Sequence, residues 1–565
     1  MKFSELTYSR PDTENYKKEY LAHLKAFAQA KTFALAEGAL EELNKLRNHM
    51  STLSTLAHIR FTINTKDDFY RQEQEFFDSQ TALFEELSHN YYQVLLGSPF
   101  LSDFEKKYGK QLIDYAQCHL KTFSPQIAED LNQESELTTQ YTKLIAQAEI
   151  HLDGKTLNLS QLAPYLTRPE REVRLRAQQA KYAFFEKNQE ELDDIYHRLV
   201  QLRHQMALKL GYPNFVPLGY ARMGRTAYNP EHVAAFRNYI KESFLPLCQE
   251  LIEEQKKRLC LGEEFAFYDE PLKFPEGNPQ PRKNKDELVE IARKMYSELS
   301  EPTKIFIELL FDGEFVDLES RAGKAGGGYC TYLPDYQMPF IFANFNGTQY
   351  DVEVLTHEAG HAFQMYESRH FKLPEYLSPT LEACEIHSMS MEFLTYPWME
   401  LFFDKEAEKF RLSHLSDAIT FLPYAALVDE FQHVVYENPE FSPQQRKKMY
   451  RELEKIYLPH RNYASFRFPE EGGYWQQQSH IYTSPFYYID YALAQICALQ
   501  FYLWAETNRD SSWEAYLRVC RAGGSLNFPE IVALGNLESP FNAPRELPQK
   551  LFYKLRAYKN TIPTP

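Results

Sequence analysis

Several large classes of protein are excluded by what this chain lacks. No apolar run is long enough to span a bilayer: the most apolar stretch, Ala492 to Ala505, is short and carries Gln495 and Gln500. No Lys/Arg-rich run stands out, and a formal charge of −17 opposes the phosphate contacts that nucleic-acid binding needs. The seven cysteines, at 118, 248, 260, 330, 384, 497 and 520, form no Cys-x-x-Cys pair, which removes zinc knuckles and dithiol redox motifs. So sparse and odd a set predicts reduced thiols. The first residues, Met1-Lys2-Phe3-Ser4-Glu5-Leu6, hold no apolar stretch that would serve as a secretory signal. No repeat of fixed period is present. The expectation is a cytoplasmic protein that binds neither nucleic acid nor membrane. For oligomeric state the chain gives no signal.

At 565 residues the chain is too long for one simple core, so two or more lobes, or one large helical body with a deep cleft, are expected. Aromatic residues, 15% of the total, suit both large cores and an aromatic-lined cleft. The first half reads as successive amphipathic helices. Tyr20, Leu24 and Phe27 form a buried stripe, and similar patterns run through 35–63, 66–96, 125–150 and 171–210. Breaks fall near Gly97-Ser98-Pro99, Asp153-Gly154 and Gly211-Tyr212-Pro213. Residues 261–285, rich in Pro, Gly and Lys, read as a surface loop. From Arg321 the texture changes: residues 326–333 and 339–345 predict two short strands around a turn. Helical patterning returns at Tyr350. The fold class is therefore mainly α, with one small β-sheet just before the helix that carries the motif described next.

That motif is His357-Glu358-Ala359-Gly360-His361. Histidines four apart on a helix lie about 40° apart around its axis and one turn along it, so both imidazoles reach one metal ion. Glu358 projects beside them, placed to contact an attacking water instead. With 17 histidines in the chain, a chance match is on the order of a few per cent. Thr348-x-x-Asp351 resembles a capping box and predicts a helix start just upstream. Gly360 costs the helix about 1 kcal/mol relative to alanine. It is either merely tolerated or demanded by close approach of another backbone.

A catalytic zinc needs a third protein ligand and an open position. A third histidine six residues on is excluded, because positions 364 and 367 are Gln364 and Glu367. Glutamate spacings of nineteen or twenty fall on Thr380 and Leu381. The carboxylates within reach are Glu382, Glu385 and Glu392. Glu385 and Glu392, seven apart, share a helix face, so one can bind metal while the other accepts the free N–H of a ligand histidine.

These residues carry a resemblance. The segments Gly323–Cys330, His357–Phe363, Glu385–Glu392, and His480 with Pro485–Tyr491, in that order, resemble the thimet oligopeptidase/oligoendopeptidase F family of zinc peptidases, in its bacterial oligoendopeptidase F branch. The resemblance implies one Zn2+ per chain held by His357, His361 and Glu385, with Glu358 as general base and Glu392 supporting a ligand histidine. It implies contact with substrate and its oxyanion by His480, Tyr488 and Tyr491. It also implies a two-lobed helical fold around a deep channel that admits short peptides, here divided into an N-terminal lobe (1–185) and a catalytic lobe (186–565). Mammalian members have a flexible Gly- and Tyr-containing loop after the matching histidine. Here that segment is Ile481-Tyr482-Thr483-Ser484-Pro485, shorter and stiffer, which favours Tyr488 and Tyr491 over Tyr482.

The expected activity is zinc-dependent hydrolysis of internal bonds in short peptides, by Glu-assisted attack of a zinc-bound water. Gly327, Gly328, Tyr329, Ala343 and Asn344 are expected to bind the peptide by strand addition. Two alternatives are a zinc carboxypeptidase, or a dipeptidyl carboxypeptidase, and a peptide-binding protein without turnover. The first needs a cation for the substrate carboxylate that sequence cannot single out. The intact Glu358 argues against the second.

Overall fold

The computed structural model describes residues 1–321 and 323–562, and it is mainly helical. The N-terminal helices follow the amphipathic patterns: α1 (Thr13–Ala28), α2 (Phe33–Ile63), α3 (Thr81–Leu96), α4 (Lys110–Leu120) and α5 (Ala128–Ala146). Tyr20, Leu24 and Phe27 of α1 are all buried, as their spacing requires, in a core shared with α2, α3 and α4. The patterns over 66–96 and 171–210 each prove to be two helices, Asp68–Ser79 with α3, and Arg171–Lys187 with Gln189–Lys209.

The helical pattern over 125–150 ends early. Strands β1 (Ile150–Leu152) and β2 (Lys155–Leu157) pair there as an antiparallel hairpin. Asp153 and Gly154 between them both have positive φ, 48° and 77°, the backbone that a two-residue hairpin turn demands. The chain thus has a second, minor sheet that helical periodicity had masked. Nor is the 261–285 segment a simple surface loop. Phe265, Phe267, Leu272 and Phe274 are buried. Asp269, wholly buried, accepts hydrogen bonds from Arg171 and from Arg174 at 2.6 Å, which ties the irregular backbone to the helix beneath.

The sheet ahead of the motif has three strands, not two: β3 (Val316–Glu319), β4 (Tyr329–Leu333) and β5 (Met338–Phe345), in the order β3-β5-β4. Strand β3 runs parallel to β5 and β4 antiparallel to it, with Tyr329 opposite Phe342 and Leu333 opposite Met338. The Lys324 ammonium binds the arrangement together: it donates to the Asp317 carboxylate (2.6 Å) and to the carbonyls of Asp317, Glu319 and Ala343.

Helix α6 (Tyr350–Ser368) follows at once and carries the motif. The expected capping box does not form. Asp351 instead reaches back to the N–H groups of Asn346 and Gly347, and the Thr348 hydroxyl bonds the Asn346 side chain. Three further helices complete the surroundings of the motif: α7 (Leu381–Leu394), α8 (Ala407–Glu437) and α9 (Tyr488–Thr507). Among the described residues, no helix is long and apolar enough to cross a membrane.

Candidate metal centre and its surroundings

Helices α6 and α7 touch backbone to backbone at Gly360. A Cβ on this residue would stand 2.6 Å from the His387 carbonyl oxygen and 2.7 Å from the Ser388 Cα. The glycine is therefore demanded by close approach. The contact brings Glu385 up to the two histidines: its Oε2 lies 3.3 Å from His357 Nε2 and 3.5 Å from His361 Nε2. One donor atom from each of the three residues falls within 4.8 Å of the others. Ligands at ~2.0–2.1 Å around a tetrahedral zinc stand roughly 3.3 Å apart, so this donor set of two imidazoles and a carboxylate fits such an ion.

Two of the three donors, His357 and Glu385, are held from behind. The Nδ1–H of His357 donates to Glu392 Oε1 at 2.6 Å, which leaves the Nε2 lone pair free. The other Glu392 oxygen pairs at 2.7 Å with His414 Nε2 from α8, and His414 Nδ1 pairs with the Tyr396 hydroxyl at 2.7 Å. Glu385 receives the Tyr487 hydroxyl on Oε1 at 2.6 Å and that of Ser388 on Oε2 at 2.8 Å. Burial acts to raise the Glu385 carboxyl, but the neighbouring imidazoles outweigh it and hold it well below the ordinary range.

Glu358 stands apart from this network. One of its carboxylate oxygens is buried with no partner, and burial pushes its pKa up against the pull of His357 and His361. A carboxylate so placed is ready to take a proton.

His480, Tyr488 and Tyr491 come together at the start of α9. The Tyr491 hydroxyl is 3.4 Å from His480 Nε2, and the Tyr488 ring lies edge-on to the imidazole at 5.2 Å. The Gln478 amide N–H donates to His480 Nδ1 at 2.8 Å, while Tyr424 donates to the amide oxygen and so fixes its orientation. Nδ1 then accepts, the proton sits on Nε2, and burial lowers the imidazole pKa and favours the neutral form. The cluster is aimed by an unusual turn. Phe486 has φ of 69°; its carbonyl accepts from Arg225, its N–H donates to Gln432, and its ring fills the space above Gly219. Arg225 also bonds Asp490 at 2.7 Å, both side chains being fully buried. Tyr482, by contrast, is core: its ring stacks on Tyr141 at 3.9 Å.

The five strand residues divide. Gly327 and Gly328 are exposed at the beginning of the edge strand β4, and Tyr329 follows, its ring stacked on Phe342. A Cβ at Gly328 would meet Glu358 Oε1 at 3.4 Å, so the free edge starts beside the candidate base. Ala343 and Asn344 lie on the central strand, away from that edge. The Ala343 carbonyl is taken by Lys324, and the Asn344 amide donates to the carbonyls of Ala325 and Gly327. They brace the glycine turn, a correction that follows from a third strand covering their other side.

Residue spacing did not reveal Tyr487, His414, Tyr396, Gln478 or Arg225. Tyr487 lies within the Pro485–Tyr491 segment, where two neighbouring tyrosines carry the same local signal. The others come from distant segments and have no local signal. Two cavities, of about 640 and 520 Å3, open between the N-terminal helices and the segment 374–381, and Pro374 and Ser378 line both.

Comparison with known proteins agrees along the chain. Residues 3–123 match the family model described as the peptidase M3 N-terminal domain, and residues 165–546 match peptidase family M3. A solved structure of PZ peptidase A with an inhibitor is 48% identical, covers 99% of both chains and superposes with a TM-score of 0.96. Another, provisionally assigned as an oligoendopeptidase F, is 49% identical over 100% of this chain and 99% of its own, also at 0.96. An oligoendopeptidase F homolog of Borreliella burgdorferi is 25% identical over 292 residues, 50% of this chain and 48% of that protein. The chromosomal oligoendopeptidase F of Lactococcus lactis subsp. cremoris is 25% identical over 320 residues, 55% and 51% of the two. The chain thus spans about half the length of these curated relatives.

Proposed function

The chain belongs to peptidase family M3, and on that premise we propose that it is a zinc-dependent oligoendopeptidase that cuts internal bonds of short, unfolded peptides. One observation carries the reading: the helix that carries two of the three metal-capable donors also carries Glu358, whose buried carboxylate has one oxygen without a partner and the other beside the exposed Gly328 at the start of edge strand β4.

His357, His361 and Glu385 would hold the ion. When bound, zinc would supply Lewis-acid activation of water and of the scissile carbonyl. The remaining work falls to the chain. The edge of β4 from Gly327 through Tyr329 would take the peptide backbone as an added strand, which reads little of the side chains. Glu358 would accept the proton of the attacking water and pass it to the leaving amine. The hydroxyls of Tyr488 and Tyr491, with the Nε2–H of His480, would donate to the carbonyl oxygen as negative charge develops there. Removing one such donor costs about 3 kcal/mol of transition-state stabilisation. Glu392, backed by His414, would keep the His357 proton on Nδ1.

The division into an N-terminal lobe, 1–185, and a catalytic lobe, 186–565, goes with this reading. So does a cytoplasmic setting, since the seven cysteines stand free.

An internally quenched, end-blocked decapeptide, incubated with and without chelator beside a folded protein, tests the proposal. Mass spectrometry should find internal cuts that vanish with chelator, and an intact folded protein. Stepwise loss from a free C-terminus, with the blocked peptide resistant, would replace it with a carboxypeptidase.

A further inference from the structure

The cavity of about 520 Å3 is bounded on one side by Cys330, Thr331 and Tyr332 of β4, so it adjoins the strand edge beyond Glu358. Its opposite wall comes from the N-terminal helices: Tyr16 and Tyr20 of α1, Phe84 and Leu87 of α3, and between them the small Ser54 of α2. Its lining mixes these aromatic and aliphatic side chains with small uncharged ones, among them Asn48, Ser51, Thr55 and Ser88, and a space of this size suits one uncharged organic side group. Two polar groups there lack partners, the buried hydroxyls of Tyr20 and Tyr332. The one Arg, Lys, His, Asp or Glu side chain in the lining, Arg47, is already neutralised. It donates to Glu375 at 2.7 Å and to Asn44, and its guanidinium lies over the Tyr91 ring at 4.7 Å. Nothing in this cavity compensates the burial of another charge.

The direction of β4 says which part of a peptide would face the cavity. The strand leaves Glu358 at Gly328 and runs outward to Leu333. At about 3.3 Å per residue, Thr331 is roughly 10 Å along from Gly328. A peptide added antiparallel, the slightly more stable pairing, runs inward along that edge towards Glu358. Its residues beside positions 330–332 therefore precede the bond to be cut.

We propose that the cavity between β4 and helices α1–α3 selects a bulky apolar side chain, aromatic by preference, carried two or three residues before the cleaved bond. The inference rests on the peptidase reading above and assigns its selectivity to Tyr16, Tyr20, Ser54, Phe84 and Leu87.

The test is a set of end-blocked peptides with one cleavable bond, varied to Phe, Leu, Gly, Lys or Asp at the second and third positions before it. With the zinc-loaded enzyme, kcat/KM should favour Phe over Gly by about 10-fold or more at one of these positions, with Lys and Asp lowest. Ser54→Phe, which fills the cavity, should bring the Phe-to-Gly ratio close to one. Because that ratio is taken within one preparation, a partly unfolded variant does not distort it, and the unmodified enzyme's series stands without the variant. The same peptides titrated against Glu358→Gln by fluorescence anisotropy should give the same order of affinity. Cleavage without preference, a preference only after the cut bond, or a ratio unchanged in Ser54→Phe would overturn the pocket and leave the peptidase intact. Ordered binding with no cleavage by the unmodified enzyme would overturn the peptidase and support the pocket.

Discussion

Two glycines lie inside helices of different regions. Gly38, exposed near the start of α2, the helix that further on supplies Ser54 to the cavity wall, has nothing within 4 Å of where a Cβ would stand, whereas Gly360, in α6, has the His387 carbonyl at 2.6 Å. The first has no packing reason in the structure, and the second sets how near two helices come. The contrast holds for the regions around them. Around the candidate metal centre His357, Glu385 and Glu392 each have fixed partners, and an unpartnered carboxylate oxygen belongs to Glu358, the residue that would move a proton. The wall is made of ordinary helix faces whose cavity-lining positions are tied down less completely, with unpartnered hydroxyls among them. Chemistry demands fixed atoms, while selection among substrates needs only shaped space.

The largest effect expected is at Glu358. Glu358→Gln should lower peptide cleavage by about 10³-fold while metal content, read by elemental analysis, stays at one ion per chain. Loss of the ion would mean that the base is also part of the scaffold, and the separation drawn here would blur. Next comes Gly360→Ala, which should destabilise the protein by about 1–3 kcal/mol in urea unfolding, because the methyl must push α6 and α7 apart. A gain in stability would show that helix propensity wins and that the contact yields. His414→Phe removes the support behind Glu392 without emptying the space. Zinc affinity, measured by chelator competition, should fall about 10- to 100-fold, and an unchanged value would place the hold on Glu392 elsewhere. The smallest effect is in α2: Gly38→Ala should stabilise by about 0.5–1 kcal/mol, opposite in sign to the same change at Gly360.

What could be read in advance followed the same line. His357, Glu358 and His361 lie within one turn of a helix, and Glu385 and Glu392 lie two turns apart on another, so linear spacing already encoded who would face whom. Gly360 showed itself as a local violation of helix propensity. Nothing comparable marks His414 or Arg225, which reach the site across intervals of 22 residues to Glu392 and 265 to Asp490. Only the folded packing of α8 and of the Phe215–Arg222 helix brings them there. The four residues of strand β3 carry too little alternation to stand out, and without that strand Ala343 and Asn344 fall on an edge they do not occupy. The β1–β2 hairpin was obscured by the long helix before it, although Asp153-Gly154 held its turn.

Because the two helices at Gly360 meet through main-chain atoms, their separation is not adjustable by the usual exchange of larger and smaller core residues. Such exchanges elsewhere along α6 and α7 would tighten or loosen the pair, but the span from the histidines to Glu385 would stay nearly constant. The aperture offered to a cation is thus inherited as a fixed dimension of the chain. Sequence drift in the surrounding helices can alter what enters the cleft without renegotiating the size of the ion at its base.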